Sequence, residues 1–422
     1  MRGLVAGAAI AAAFTALPLI AGATSSDRTL PAGTKLFVPA PSAGAVRQAA
    51  GLLAHRDVKN ALLIAKMETI PRAVWLTDGT PADVTRQVRM TLLEADLERA
   101  VPVFVVYNIP ARDCSQYSAG GAASDAAYDA WVAAIATAIG THKAVVLLEP
   151  DALANLPVFC STTTDPLASD PPDGNGNYRT PELHPLSAQR LAEVNDAVDQ
   201  LEANPSTSVY LDAGHSAWHS VGDMARVLYY AGVQRTQGFF LNVSNYQPTP
   251  QQNQYGTWIS KCLYYGTNTA EGGWRLGHFD YCASQYYPAS PNDYSTWALT
   301  DAWYTANVDN GPNPPAGPAA LAHIVVDTSR NGVQPTWAGA LDWCNPPGRG
   351  LGARPTTSTG VQLVDAYLWA KTPGESDGAC NRDGNAAGTD SAWGNTVDPA
   401  AGAWFPAQAL QLAQLASPPL LP

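Results

Sequence analysis

Charge is scarce in this 422-residue sequence, with 14% Asp, Glu, Lys and Arg together, and what there is leans acidic, for a formal net charge of −12. A nucleic-acid partner needs a concentrated basic footprint, so that class is excluded first. Histidines number seven and are too scattered to suggest a metal site. There is no H-E-x-x-H, no C-x-x-C pair and no glycine loop shaped to cradle phosphate, which removes the usual zinc, dithiol and nucleotide chemistries. Gly214-His-Ser-Ala-Trp218 sets a serine beside a histidine without the G-x-S-x-G elbow, an argument against a serine hydrolase. Beyond the N-terminus, no stretch is apolar and long enough to span a bilayer.

The N-terminus has a different character. Met1-Arg2 leads into an Ala/Leu/Ile/Val run broken by Pro18 and followed by Ala21-Gly22-Ala23, the pattern of a cleaved secretory leader. The expectation is a signal peptide at 1–23, a short segment at 24–36 and a single domain at 37–422. The mature protein is then secreted and extracellular, with no membrane attachment after cleavage. Six cysteines in an oxidising compartment read as disulfides, although six allow fifteen pairings. Twelve Trp and seventeen Tyr supply flat faces that stack on sugar rings and equally fill cores.

Seven short apolar, β-branched runs recur: Ala73–Thr77, Val103–Asn108, Val145–Asp151, Val209–His215, Phe239–Asn245, Ile324–Thr328 and Ala366–Lys371. Apolar strands without alternation indicate a parallel sheet covered on both faces. Between them, Thr80-Pro-Ala-Asp83 reads as a helix start, followed by Val84, Val88, Leu92 and Leu93 at helical spacing. Asp125 to Ile139 and Ser187 to Leu201 read as further helices. This alternation predicts a closed α/β barrel or a doubly wound sheet, with the functional face at the carboxyl ends of the strands in either case. Thr162 to Leu183 and Gln247 to Pro318 stand out as long inserts, expected to act as lids or binding walls.

Those strand ends carry Asp113, Asp151, Asp212 and Asp377, with Arg112, His215, Lys371 and Glu375 among them. Like charges in one crevice resist joint ionisation, which yields a neutral acid beside an ionised base, the requirement for cleaving an acetal bond. The competing structural reading is ion pairing, of Arg112 with a neighbouring carboxylate and of Lys371 with Glu375. Asn242-Val-Ser is a glycosylation sequon by pattern, but its place at a strand end favours a ligand contact.

Two segments carry a family resemblance: Val105-x-Tyr-x-x-Pro-x-Arg-Asp-Cys-Ser closing on Ser118-Ala-Gly-Gly121, and Val146-Leu-Leu-Glu-Pro-Asp-Ala-Leu153. Further matches are Leu211–Trp218, Asn242–Tyr246, Asp327–Gly332, Asp342-Trp-Cys344 and Pro373–Gly378. Together they resemble glycoside hydrolase family six, the inverting cellulases that include endoglucanases and cellobiohydrolases. The resemblance implies a distorted barrel of seven parallel strands with long active-site loops. It implies Asp151 as general acid, Asp377 as base acting directly or through a second water, Asp113 as the neighbour keeping the acid protonated, and Tyr107 as a residue distorting the sugar. Trp75, His215, Trp218, Asn242, Trp343, Lys371 and Glu375 correspond to sugar-binding positions. It also implies the disulfides Cys114–Cys160 and Cys344–Cys380, which leaves Cys262 with Cys282 as a bridge of the insert. Where the family often has a serine orienting the catalytic water, this chain has Ala119, with Ser118 just before it.

The activity so implied is hydrolysis of internal 1,4-β-D-glucosidic bonds of cellulose or cello-oligosaccharides by a monomer, with inversion and without metal or organic cofactor. A short loop after Cys114 favours endo action. The long segment from Asp377 to Trp404 and the large insert favour the alternative, an exo-acting cellobiohydrolase. A glucan-binding protein with weak turnover is the other-class alternative, and Ala119 is its support.

Overall fold

A run such as Val103-Phe-Val-Val106 has no polar side chain to turn towards water, and all four residues are buried. Both faces of such a strand must be covered, which dictates the architecture. In the computed structural model, residues 28–160, 185–287, 294–333 and 341–421 are described; the leader at 1–23 and the insert at 162–183 lie outside them. The strands are β1 (Val74–Leu76), β2 (Val103–Val106), β3 (Ala144–Leu148), β4 (Thr207–Asp212), β5 (Gly238–Leu241), β6 (His323–Asp327) and β7 (Val364–Leu368). They hydrogen-bond in chain order, every neighbouring pair parallel. Each lies within or overlaps one of the seven runs read from the sequence.

The sheet curls on itself. Val105, Leu147, Tyr210, Phe240 and Val325 fill its interior, while Phe104, Val146, Leu211, Phe239 and Val326 face the outer helices. No ladder joins β1 to β7 among the described residues. The carboxyl end of β7 meets β1 instead through single bonds, Ala73 N–H, just before β1, to the Trp369 carbonyl at 2.9 Å and the Trp75 indole N–H to the Ala370 carbonyl at 2.7 Å. Leu30 and Leu36, from the short N-terminal segment, pack into the interior cluster. Gly238 opens β5 where a Cβ would lie 1.9 Å from the His323 carbonyl oxygen, so only glycine lets β5 approach β6 there.

The helices are α1 (Ala43–Ala54), α2 (Val58–Met67), α3 (Pro81–Glu98), α4 (Asp125–Ile139), α5 (Pro185–Glu202), α6 (Val221–Tyr230), α7 (Thr249–Gly266), α8 (Trp297–Tyr304) and α9 (Pro406–Gln414). α3 begins as its sequence predicts. Thr80 accepts from the Asp83 N–H at 3.2 Å, the Asp83 carboxylate takes the Thr80 N–H at 3.1 Å, and Pro81 fills the first turn. Val84, Val88 and Leu92 are buried, but Leu93 is exposed, because one residue further turns about 100° away from the core face. α1, α2 and α9 pack with Leu351 and Trp369 in a separate cluster over the β1–β7 seam.

The segment at 247–318 differs from its reading as a loop-like insert. α7 spans eighteen residues of it and buries Tyr255, Trp258, Ile259, Cys262 and Leu263 at helical spacing. Polar Gln and Asn at the start of α7 and its aromatic content masked that period. α7 is the crossover between β5 and β6, and Cys262 bonds Cys282, tying the following turns to it. Replacing both cysteines with serine is expected to lower the unfolding free energy by about 3 kcal/mol, the chain-entropy value for a loop of this size, as read by urea denaturation.

Candidate active site

Each parallel strand delivers its last polar residues to the same end of the curl. There a cleft of about 830 Å³ crosses the strand ends, and Tyr107, Asp113, Asp151 and Asp377 all line it. So do Trp75, His215, Trp218, Trp343, Lys371 and Glu375. Asn242 does not reach the cleft. It is buried at 1% exposure, its amide donating to the Asp327 carbonyl at 2.9 Å and accepting from the Gln247 N–H at 2.9 Å. Those bonds use the side chain to fix the turn after β5, so it offers neither a sugar contact nor an accessible glycan acceptor.

Asp151 follows β3 in a left-handed conformation, φ 65°. Its carboxyl is held well above the usual carboxylate range, first by burial, then by the charges of Asp212, Asp113 and Asp377, with Lys371 opposing. Asp212 lies beneath it at the end of β4, accepting from Leu153 at 3.1 Å, Ala154 at 2.9 Å and Gly214 at 3.1 Å. Burial still lifts Asp212 to about 6, against the pull of those N–H groups. Asp113 accepts the Ser118 N–H at 2.7 Å, and burial raises it too.

Asp377 has another environment. One oxygen faces the fully buried Arg330 guanidinium at 2.9 Å. The other accepts from the Tyr246 hydroxyl at 2.7 Å and the Asn345 N–H at 3.0 Å. Arg330 stacks 4.2 Å above the Tyr246 ring and also donates to the Ser244 carbonyl. Asp151 has no such donor among the described residues, so one cleft holds a desolvated carboxyl and an ion-paired carboxylate.

The ion pairs of the competing structural reading do not form among the described residues, and other contacts stand in their place. Arg112 donates to the carbonyls of Tyr107 at 2.6 Å, Thr77 at 2.9 Å and Ser118 at 3.0 Å, and lies 4.5 Å over the Tyr107 ring. It braces the loop without a direct ion pair, while its charge opposes the burial that raises Asp113. Lys371 donates to the Ser376 carbonyl at 3.3 Å and sits 5.6 Å from the Trp75 ring centre. Trp75 meets Tyr107 edge-on at 5.5 Å, which sets the indole as a rigid wall. Burial raises Glu375 despite the nearby Lys371 and Arg72 cations. Burial, with His219 adding to it, brings the His215 imidazole down to about 3, leaving it neutral across the physiological range.

The loops bearing Asp113 and Asp377 are each tied close to those residues, by Cys114–Cys160 and Cys344–Cys380. They also meet. The Tyr117 ring lies 5.9 Å from that of Trp343, its hydroxyl accepts the Asn381 N–H at 3.3 Å, and Gly378 leaves room for it. Ala119 and Ser118 both line the cleft. Gly374-Glu-Ser-Asp-Gly378 matches the G-x-S-x-G pattern that Gly214–Trp218 lacks. However, Ser376 is fully buried and its hydroxyl donates to the Pro399 carbonyl at 2.8 Å, so it is a structural residue and no nucleophile.

Sequence reasoning passed over Arg330, Tyr246 and Asn345. Two of them stand in segments that carry the family resemblance, Asn242–Tyr246 and Asp327–Gly332, but nothing in a linear sequence pairs them with a carboxylate up to 131 positions away. Replacing Arg330 with Met is expected to cost about 3–5 kcal/mol in denaturant unfolding, because the Asp377 charge is then buried without a partner.

Comparison with known proteins agrees with this geometry. The model of "Glycosyl hydrolases family 6" matches residues 31–416. Endoglucanase 1 of Streptomyces sp. (strain KSM-9) is 33% identical over 357 residues, 83% of this chain and 76% of that protein. Among solved structures, an endoglucanase of Mycobacterium tuberculosis in complex with methyl-cellobiosyl-4-deoxy-4-thio-β-D-cellobioside is 31% identical with a TM-score of 0.62, covering 91% of this chain and 97% of that one. The catalytic core of a cellobiohydrolase from Chaetomium thermophilum is 26% identical with a TM-score of 0.60, over 92% and 98% of the two chains. A curled sheet of seven parallel strands, a carboxylate-lined cleft at its carboxyl end and a match along nearly the whole chain lead to one conclusion: this protein is a member of glycosyl hydrolase family 6.

Proposed function

We propose that the protein cleaves internal β-1,4-glucosidic bonds of glucan chains with inversion at the anomeric carbon. The observation that carries this reading is the asymmetry between Asp151 and Asp377 in a shared cleft. Asp151, kept protonated by burial and its acidic neighbours, gives its proton to the departing glycosidic oxygen. Asp113 and Asp212 sustain that state. Asp377 is the base. Three donors already occupy its oxygens, which favours action through a second water over direct contact with the attacking one. Tyr107, held under the Arg112 guanidinium, presses on the sugar at the cleavage point. Trp75, Trp218 and Trp343 offer stacking faces, and His215, Lys371 and Glu375 offer polar contacts to hydroxyls.

This reading makes the protein a secreted, monomeric enzyme with one catalytic domain behind a cleaved leader, acting on cellulose or cello-oligosaccharides. No helix among the described residues is long and apolar enough to cross a membrane. One observation supports the exo-acting alternative. Tyr117 carries the Cys114 loop across to Trp343 and Asn381, so the cleft is narrowed over the site. A fall in the viscosity of soluble cellulose ahead of sugar release is expected for endo action; cellobiose as almost the sole early product would establish the alternative.

Cellohexaose digestion followed by NMR of the anomers is expected to show α-configured new reducing ends, and β-configured ones would exclude inversion. Asp151→Asn is expected to lower kcat on cello-oligosaccharides by about 10²–10⁴-fold. Rates equal to wild type would remove the acid assignment, and near-zero rates in both proteins would leave a binding protein. The pH profile follows from the cluster. Activity needs the proton on Asp151, so it persists below that raised pKa and is lost above it. Asp212→Asn removes a charge that raises Asp151, so the alkaline limb of kcat/KM is expected to move to lower pH.

A further inference from the structure

Two residues before Asp151, a second acidic side chain turns away from the cleft. Glu149 follows directly on β3 at φ 52°, is completely buried and donates its own N–H to the Val106 carbonyl at 2.8 Å. Its carboxylate accepts the Asn108 N–H at 2.9 and 3.1 Å and the Ile109 N–H at 3.1 Å. From α5, the buried Arg190 donates to the Pro110 carbonyl at 2.6 Å and the Ala111 carbonyl at 3.3 Å, while pairing with Glu193 at 3.2 Å. A carboxylate therefore takes the donors of the turn at 108–111, and a guanidinium takes its acceptors.

That turn is the root of the loop carrying Arg112 and Asp113. The loop also returns to it. Ala122 donates to the Asn108 carbonyl at 2.8 Å, and Gly121, at φ 102°, passes where a Cβ would stand 1.9 Å from the Ile109 carbonyl oxygen. The hydroxyl of Tyr128 on α4 faces the same carboxylate. Burial pushes Glu149 up to about 7 despite its N–H donors, so the charged group is costly to keep there. Positioning gives a reason for it.

We propose that Glu149 is a positioning residue that, together with Arg190, locks the Tyr107–Asp113 loop to the end of β3 and so sets Asp113 and Tyr107 in register with the Asp151 carboxyl. The inference rests on Asp151 being the general acid. A loosened turn displaces Asp113 and the Tyr107–Arg112 stack relative to that carboxyl. It leaves the Trp218 wall, which comes from the end of β4, in place. Proton delivery then suffers while glucan binding does not.

The test compares two substrates. Cellotetraose has a poor leaving group that must be protonated, whereas a dinitrophenyl cellotrioside leaves without help. Glu149→Gln is expected to lower kcat about tenfold on cellotetraose and less than about twofold on the aryl substrate, with KM little changed on either. Arg190→Lys, which loosens the same turn from the other side, is expected to give the same split, and it decides the matter if Glu149→Gln does not fold by circular dichroism. Equal losses on both substrates would mark a purely structural residue and overturn the proposal, as would unchanged rates. Asp151→Asn run in parallel separates the two claims. If it shows no split, the acid assignment fails; if it alone shows the split, only the clamp fails.

Discussion

Desolvated carboxylates gathered at the strand ends repel one another, and hydrogen-bond donors decide which of them keeps its charge. Asp212 receives three backbone N–H groups, and Asp327 receives those of Ser329 and Lys371 at 2.8 and 2.9 Å. Asp377 receives a guanidinium, a phenol and an amide. Asp151 receives none of these among the described residues, while its neighbours' charges all bear on it. A carboxyl with no donors in a low-dielectric crevice holds its proton. The acid is thus defined less by its own position than by the donors given to every group around it.

This distribution depends on the parallel sheet. Parallel strands point all their carboxyl ends the same way, so backbone N–H groups just beyond the ladder are free to bind side chains from the adjacent strand. Asp212 of β4 binds the turn after β3, and Glu149 of β3 binds the turn after β2. Asp327 of β6 binds the segment after β7. Each acidic side chain therefore stitches one strand end to its neighbour, continuing the sheet beyond its hydrogen-bonded register. The same stitching that satisfies buried donors also fixes the site, because unpaired buried N–H groups are costly.

Much of this was legible in the sequence, and the limits have physical causes. Strand positions followed from β-branched runs because burial on both faces leaves no alternative composition. The α3 start was legible because its capping box is local, joining Thr80 and Asp83 over one turn. The carboxylates that line the cleft followed from their place at strand ends. Asn242 misled, since a polar residue at a strand end can serve the backbone as well as a ligand, and the sequence does not say which. α7 was hidden because Tyr, Trp and Gln in its core positions weaken the hydrophobic period. Arg330 and Tyr246 were out of reach for another reason: their roles arise from contact with Asp377 between the loops that follow β5, β6 and β7, a property of the folded chain alone.

The loops bearing Asp113 and Asp377 carry little regular structure, which is an entropic liability for groups that must be placed within a fraction of an ångström. Each loop is tied by a disulfide next to its acidic residue, Cys114 to Cys160 beyond β3 and Cys380 to Cys344 before β7, with sequence separations of 46 and 36; on the chain-entropy model each is worth roughly 3–4 kcal/mol. A crosslink constrains the residues beside it, however, and says little about the tip. At the tips, Tyr117 joins the two loops directly, its ring against Trp343 and its hydroxyl on the Asn381 amide. Arg112 anchors the same loop from inside through three carbonyls. A covalent bond beside Asp113, cation-to-carbonyl contacts from Arg112 and one aromatic contact to the facing loop together restrain the loop, and Arg112 and Tyr117 both line the cleft. Of the three, the aromatic contact alone can open without breaking a bond or stranding a buried charge, so the width of the cleft depends on Tyr117, and the Ser118 N–H bond to the Asp113 carboxylate links that contact to the placement of Asp113.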